Sequence, residues 1–259
     1  MDLRMIDLAK LNTATKYPSI PTYHALGDRG ALLEDGGIAL GDDFIATEKV
    51  DGTNTRIILT ADSQFLIGSR EELLHARGDL VYNPALGIVD ATREIAEHVV
   101  AQADLAIPSD AFLVLYGETF GGKITAMSKQ YTGRRSVGFR AFDACVVPQT
   151  ILAQDRAAIS GWRDQGGQEF KNEALLSELA DRCGVKLTPR IAVTGALPTG
   201  THDTFNWLRN NINRTQVALD DDAKMEPEGL VLRTPDRSVI AKIRFQDYAR
   251  HVKRTPRPH

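Results

Sequence analysis

Residues 46–57, ATEKVDGTNTRI, set one lysine, Lys49, at the end of an apolar stretch and directly before a turn of Asp51, Gly52, Thr53 and Asn54. A lysine on the lip of a strand, beside a glycine that lets another backbone or a ligand come close, can serve as a nucleophile. Its obstacle is protonation. With an ordinary pKa near ~10.4, only about one lysine in a few thousand is a neutral amine at pH 7. Moving that pKa to the neighbourhood of 7 takes roughly 4–5 kcal/mol of differential stabilisation, which desolvation and nearby cations can supply. An exposed Asp-Gly hairpin turn reads the same way, so the tetrapeptide alone leaves both readings open.

The elements around this lysine follow a short-strand pattern. Residues 44–47, 55–60 and 65–68 are apolar or β-branched and are separated by the turn signals DGTN and ADS. Ile88, Ala91, Ile95 and Val99 recur at helical spacing, which predicts a helix over about 88–102. Further strands are expected over 112–116, 137–144, 229–233 and 239–243, with helical composition at about 151–164 and 172–182. The first 43 residues are turn-rich and read as a lead-in segment. Strands joined by tight turns, with helices inserted in blocks, predict an α+β fold of antiparallel sheets flanked by helices. No G-x-G-x-x-G or G-x-x-x-x-G-K-[ST] phosphate loop occurs.

Composition narrows the class. The 259 residues carry 31 Lys+Arg against 34 Asp+Glu, a net charge of −3, with 42% hydrophobic residues, as in an ordinary globular protein. Two cysteines, Cys145 and Cys183, make no disulfide framework, so a reduced, cytoplasmic setting is expected. The start lacks a signal-peptide layout and no apolar run approaches the ~20 residues a membrane helix needs, so neither secretion nor membrane insertion is expected. The six histidines show no metal spacing of the H-E-x-x-H kind. Charge is uneven, however. Lys123, Lys129, Arg134, Arg135 and Arg140 occur without an acid between them, and after residue 236 seven Lys/Arg face Asp247 alone. Such stretches are either solvated faces or phosphate-binding surface.

Five more motifs follow Lys49 in order: GSRE (68–71), YGETFGG (116–122), VGFRAFDA (137–144), EPEGLVLR (226–233) and AKIRF (241–245). Together they resemble the ordered motifs of the covalent nucleotidyltransferase superfamily, which comprises DNA ligases, RNA ligases and mRNA capping enzymes. The EKVDGTN wording and the lead-in YPSIPTYH (17–24) are most similar to the nick-sealing branch of the RNA ligases. The resemblance runs from about Tyr17 to Phe245. It implies the nucleotidyltransferase fold and an ATP-dependent RNA ligase that joins 3′-hydroxyl and 5′-phosphate ends through a lysyl-AMP intermediate. RNA or RNA-containing duplex ends are the implied partner, Mg²⁺ or Mn²⁺ the implied metal, and a monomer the expected state.

The resemblance also implies roles. Lys49 would attack the α-phosphate of ATP and carry AMP. Glu48 and Val50 would line the base site through backbone contacts, while Asp51, Gly52 and Asn54 would shape the turn around the ribose and the lysyl linkage. Arg70 would contact the ribose and the polynucleotide, Glu118 would accept from a ribose hydroxyl, and Phe139 would stack on adenine, with Phe142 as the substitute. Glu228 would hold the metal and Lys242 would neutralise the α-phosphate. These residue types suit phosphoryl transfer, which is mostly positioning and charge stabilisation. Glu118 and Glu228 supply the hard oxygen ligands that Mg²⁺ takes. For the nucleic acid, Arg134, Arg135, Arg250, Lys253 and Arg254 are the candidate cations, the last three in a basic tail over 246–259 that follows a catalytic domain over 1–245.

Two departures stand out. The last motif usually carries two lysines around one residue, and here the second is Arg244, a planar fork rather than a point charge. Only residues 243–259 follow Lys242, too few for the oligonucleotide-binding barrel that DNA ligases and capping enzymes carry there. A DNA ligase or capping-type guanylyltransferase is therefore the second reading, and a catalytically silent binder of nucleic-acid ends the third.

Overall fold

The structure is a computed structural model that describes residues 2–76, 78, 80–83, 87–102 and 105–255. In chain order the elements are α1 (Leu8–Ala14), β1 (His24–Leu26), β2 (Leu32–Gly37), β3 (Ile45–Lys49), β4 (Thr53–Thr60), β5 (Phe65–Ser69), β6 (Leu73–Ala76) and β7 (Val81–Tyr82). There follow α2 (Ile88–Gln102), β8 (Ala111–Gly121), β9 (Val137–Pro148), α3 (Arg156–Asp164), β10 (Glu169–Phe170) and α4 (Glu173–Cys183). The last elements are α5 (Thr201–Asn211), β11 (Gly229–Arg233), β12 (Ile240–Arg244) and α6 (Phe245–Arg254). All the strand pairs are antiparallel and no closed barrel occurs among the described residues.

The chain divides into two compact units. The first takes the chain up to Pro18, Gly52–Ser128 and Arg135–Leu187. Its sheet has seven strands in the order β10-β9-β8-β4-β5-β6-β7. Strand residues alternate between faces, so Ile57, Leu59, Leu113 and Leu115 share one face, where they pack with Ile88 and Val99 of α2 and with Leu176 and Cys183 of α4. Ile58, Phe112, Val114 and Tyr116 take the other face, beside Leu11 and Ala14 of α1 and Ile159 of α3. Burial on both faces explains the apolar runs 57–59 of β4 and 111–116 of β8. Arg56 is wholly buried on this second face, where it donates to the Asn12 carbonyl at 3.1 Å and to the Asn12 side chain. Desolvation lowers its pKa to about 10.

The second unit takes Ser19–Asp51, Lys129–Arg134 and the chain from Thr188 onward. It contains the three-stranded sheet β12-β11-β3 and the β1-β2 hairpin. Its core joins Ala46, Leu230, Leu232, Ala241 and Ile243 to Trp207 and Leu208 of α5 and Tyr248 of α6.

Two expectations need correction, and one helix was not expected. The lead-in segment is not a loop system. Asp7 caps α1 by accepting the Ala9 and Lys10 amides, both at 3.0 Å, and Leu11 and Ala14 dock the helix. α5 escaped the sequence because THDTFNWLRNN is poor in helix formers; burying Thr204, Trp207 and Leu208 supplies what propensity does not. Residues 246–255 are not a tail apart from the fold either. In α6, Tyr248 is fully buried and its hydroxyl donates to His24 Nδ1 at 2.7 Å, while Nε2 of that imidazole donates to the Thr199 carbonyl at 2.7 Å. His251, also buried, lies 3.1 Å from Glu34. Residues 256–259, the end of the expected tail, are outside the described ones.

A packed helix and a mobile tail respond differently to substitution. Tyr248→Ala should cost about 3–5 kcal/mol in urea denaturation, the range for deleting a buried aromatic. Lys253→Ala and Arg254→Ala should each stay within about 0.5 kcal/mol. A silent Tyr248→Ala would return the segment to a tail.

Candidate active site

Lys49 closes β3, and the register of the three-stranded sheet fixes its company. Lys49, Gly229 and Arg244 lie in one rank across β3, β11 and β12, and Thr47, Val231 and Lys242 in the next. Residues in register or two apart share a face, so the three cationic side chains emerge from the same side of the sheet. The opposite side carries Ala46, Leu230, Leu232, Ala241 and Ile243 into the core. At the centre of the first rank Gly229 has φ +154°, and a Cβ there would stand 2.0 Å from the Ile243 carbonyl oxygen. Only glycine lets the two strands close at this point.

Immediately before it, Glu228 reaches Lys49. The Lys49 ammonium donates to Glu228 Oε2 at 2.6 Å, with the side chains 23% and 17% exposed, so the pair is largely out of water. Burial pushes the Glu228 carboxyl above the ordinary range, with Asp51 adding to this, while Lys49 and Arg244 pull it back. Lys242 moves the other way: burial, then the Arg244 and Lys49 cations, lower its pKa. Arg244 is not a loose substitute for a lysine. Its Nε and Nη2 donate to the two oxygens of Asp247 at 2.7 and 3.0 Å, and Asp247, three residues along in the first turn of α6, is itself buried. The fork is fixed in orientation, as a lysine at this place would not be.

Glu48, on the core side of β3, is 1% exposed and accepts from the Thr215 hydroxyl and from the Gln216 amide at 2.8 Å. Its own amide is committed to the Pro189 carbonyl at 2.9 Å. Val50 is buried. The next amide, that of Asp51, donates to the hydroxyl of Tyr131 at 2.6 Å.

In the first unit the turn opens on Gly52, whose amide donates to Glu118 Oε1 at 3.1 Å. A Cβ on Gly52 would lie 2.2 Å from the Thr119 carbonyl oxygen, the close backbone approach expected of this glycine. One Glu118 oxygen thus orders the turn, which limits what the carboxylate offers a metal. Asn54, Glu118 and Arg140 form one rank across β4, β8 and β9. Asn54 Oδ1 in that rank is buried with no hydrogen-bond partner, an acceptor suited to a ligand hydroxyl.

Phe139 does not join them. It pairs with Thr119, so its side chain leaves by the other face, where the ring covers Gly117 and packs against the α2 side of the sheet. The shift of register between Tyr116 and Gly117 turns Phe142 instead to the Tyr116 face, partly buried and edge-on to Tyr17 at 5.1 Å between centroids. Phe142, not Phe139, therefore lies on the Glu118 side of the sheet, because the bulge between Tyr116 and Gly117 reverses the alternation.

The remaining candidates are exposed. Arg70 is exposed on the turn after β5, 3.7 Å from Glu71. Arg134 is paired with Asp222 at 2.9 Å, and Arg135 is exposed. Arg250, Lys253 and Arg254 are exposed on α6. No group of three or more His, Cys, Asp or Glu able to hold a metal occurs among the described residues. Sequence reasoning missed Tyr131, Asp247 and Thr215. Only Asp247 left a signal, its i, i+3 spacing from Arg244.

A family model described as RNA ligase matches residues 42–247. Comparison with curated proteins finds no match. Among solved structures, Naegleria gruberi RNA ligase, as a point mutant with ATP and Mn, is similar with a TM-score of 0.55 and 15% identity over 92% of this chain and 65% of that one. A second mutant of it with ATP and Mn gives 0.55 and 15% over 94% and 63%, and the enzyme with PPi gives 0.52 and 16% over 92% and 64%. This chain thus spans slightly less than two thirds of those proteins, and at such identity the likeness is one of fold.

The Lys49–Glu228 pair has a titration signature. A carboxyl whose folded pKa is raised contributes stability at pH below its ordinary range and loses it as pH rises through the raised value. Lys49→Met removes the cation that holds this pKa down, so ¹³C NMR should show the Glu228 carboxyl titrating higher still in the variant. A fall, or no movement, would mean that the two groups do not interact.

Proposed function

The chain belongs to the RNA ligase family, and on that premise we propose that it is an ATP-dependent polynucleotide ligase acting on RNA ends. One observation carries the reading: a lysine at a strand end, 2.6 Å from a largely buried carboxylate and on the same sheet face as two further cations.

In the first step Lys49 sheds a proton and its Nζ attacks the α-phosphorus of ATP. A nitrogen–phosphorus bond forms as the bond to the bridging oxygen breaks, and pyrophosphate leaves. Glu228 Oε2 is within reach of the departing proton, and burial makes that carboxylate the stronger base. Lys242 and Arg244 meet the charge on the phosphates, Arg244 from a direction that Asp247 fixes. In the second step an oxygen of an RNA 5′-phosphate attacks the same phosphorus and Lys49 is released. In the third a 3′-hydroxyl attacks the activated 5′-phosphate, the phosphodiester forms and AMP leaves.

Glu228, a hard oxygen ligand, fits Mg²⁺ or Mn²⁺, each of which binds proteins through one or two carboxylates and would supply charge neutralisation at the phosphates. Asn54 and Glu118 suit ribose hydroxyls, and Phe142 suits the adenine. The exposed cations of α6 (Arg250, Lys253 and Arg254) suit the RNA backbone better than Arg134, which already has a carboxylate partner.

With α-labelled ATP and Mg²⁺, the protein should acquire an acid-labile, alkali-stable label. Lys49→Ala should abolish it, and Lys49→Arg too, because a guanidinium stays protonated. Label persisting in either variant would overturn the assignment.

Base recognition is tested separately. Phe142→Ala should raise the ATP concentration needed for half-maximal labelling by about 5–100-fold, from a stacking worth of roughly 1–3 kcal/mol. Phe139→Ala should act on thermal stability instead. The reverse pattern would restore Phe139 as the stacking residue.

A further inference from the structure

We propose that Tyr131 is a positioning residue for the nucleophile: its hydroxyl anchors the turn that follows Lys49, and the segment around it ties that turn to the loop carrying Glu228. The inference rests on the ligase reading above, and it concerns a residue outside all six motifs.

Tyr131 has no solvent exposure, and its hydroxyl oxygen accepts the Asp51 amide at 2.6 Å, two residues beyond Lys49. At that amide the sheet pairing of β3 has ended, since the last paired residue is Lys49. Without the phenol, nothing in the ladder would fix the peptide that sets the direction of the chain beyond the lysine. The other side of Tyr131 is stitched to the chain leading to Glu228. Its carbonyl accepts the Leu219 amide at 2.7 Å, and the carbonyls of Lys129 and Gln130 accept the Lys224 and Met225 amides, both at 3.0 Å. Gln130 clasps Glu226 twice, accepting its amide at 3.1 Å and donating to its carboxylate at 3.0 Å. Thr132 and Gly133 donate to Asp220, the latter at 2.8 Å. The segment 129–134 thus bonds to Asp51 at one edge and to residues 219–226 at the other, two positions short of Glu228.

The chemistry of the phenol makes it an anchor and not a proton carrier. Burial, with Glu48, Glu228 and Asp51 nearby, pushes its pKa far above the ordinary tyrosine value, against the pull of the Asp51 amide. It stays neutral at any working pH. What it supplies is placement, and misplacing a nucleophile by about 1 Å can cost on the order of 100-fold in rate.

Tyr131→Phe keeps the buried ring and deletes only the anchor. In single-turnover labelling with α-labelled ATP, we expect the rate of lysyl-AMP formation to fall about 10–100-fold. The apparent KM for ATP should stay within about threefold, the shape of the pH profile should be unchanged, and every molecule should eventually be labelled. A purely structural tyrosine would instead lower the labelled fraction, leaving the rate of the folded molecules intact. Asp220→Asn loosens the same segment from the protein surface and should slow labelling in the same manner, by several-fold. If the wild-type protein forms no lysyl-AMP, the ligase reading falls and this inference with it. If the wild type is labelled and Tyr131→Phe labels within twofold of its rate, the inference alone is overturned.

Discussion

The second unit depends on keeping an ammonium, a carboxylate and two further cations together on one sheet face, mostly out of water. Left to themselves, Lys49, Lys242 and Arg244 would repel one another, and partial burial would strengthen that repulsion. Glu228 relieves it on one side, 2.6 Å from Lys49, and Asp247 on the other, with both oxygens on Arg244. The burial that lifts the Glu228 carboxyl and lowers Lys242 is the same burial that strengthens every interaction at this face. Charges are balanced in pairs, but the cations remain in excess, and an anionic phosphate is the complement such a face calls for.

That arrangement requires an unusually precise backbone. The cations belong to strands that pair only because Gly229, between them, has no side chain to collide with the Ile243 carbonyl. The turn after the lysine is likewise defined by hydrogen bonds to its amides, Asp51 to the Tyr131 hydroxyl and Gly52 to Glu118. Glu48, facing inward beside Lys49, spends its carboxylate on Thr215 and Gln216, so even the charged neighbour on the hidden face acts as a strut. Rigid support of this sort is what a site needs when its chemistry is chiefly positioning.

Departures from the family pattern gain a physical meaning here. Arg244 in place of a second lysine brings Asp247 with it, and the pair converts a mobile point charge into an oriented donor. Arg134 shows the opposite case, a basic residue in an acid-poor stretch of sequence whose charge is met by Asp222 from a distant part of the chain.

The motif order, the candidate nucleophile and most of the strands are legible in the sequence, because each is written in contiguous residues. Lys49 with its Asp-Gly turn, and the apolar runs of β4, β8 and β11, are of this kind. Only the tertiary structure decided which aromatic faces Glu118, since a one-residue bulge between Tyr116 and Gly117 reverses the alternation on which a reading of β9 depends. It also decided that residues 245–254 form a docked helix, because Tyr248 and His251 find their partners at His24 and Glu34, more than 200 residues away in the chain. Tyr131 was invisible for the same reason. Its environment is assembled from residues near 51 and 219, and spacing along a sequence carries no information about contacts made only once the chain has folded.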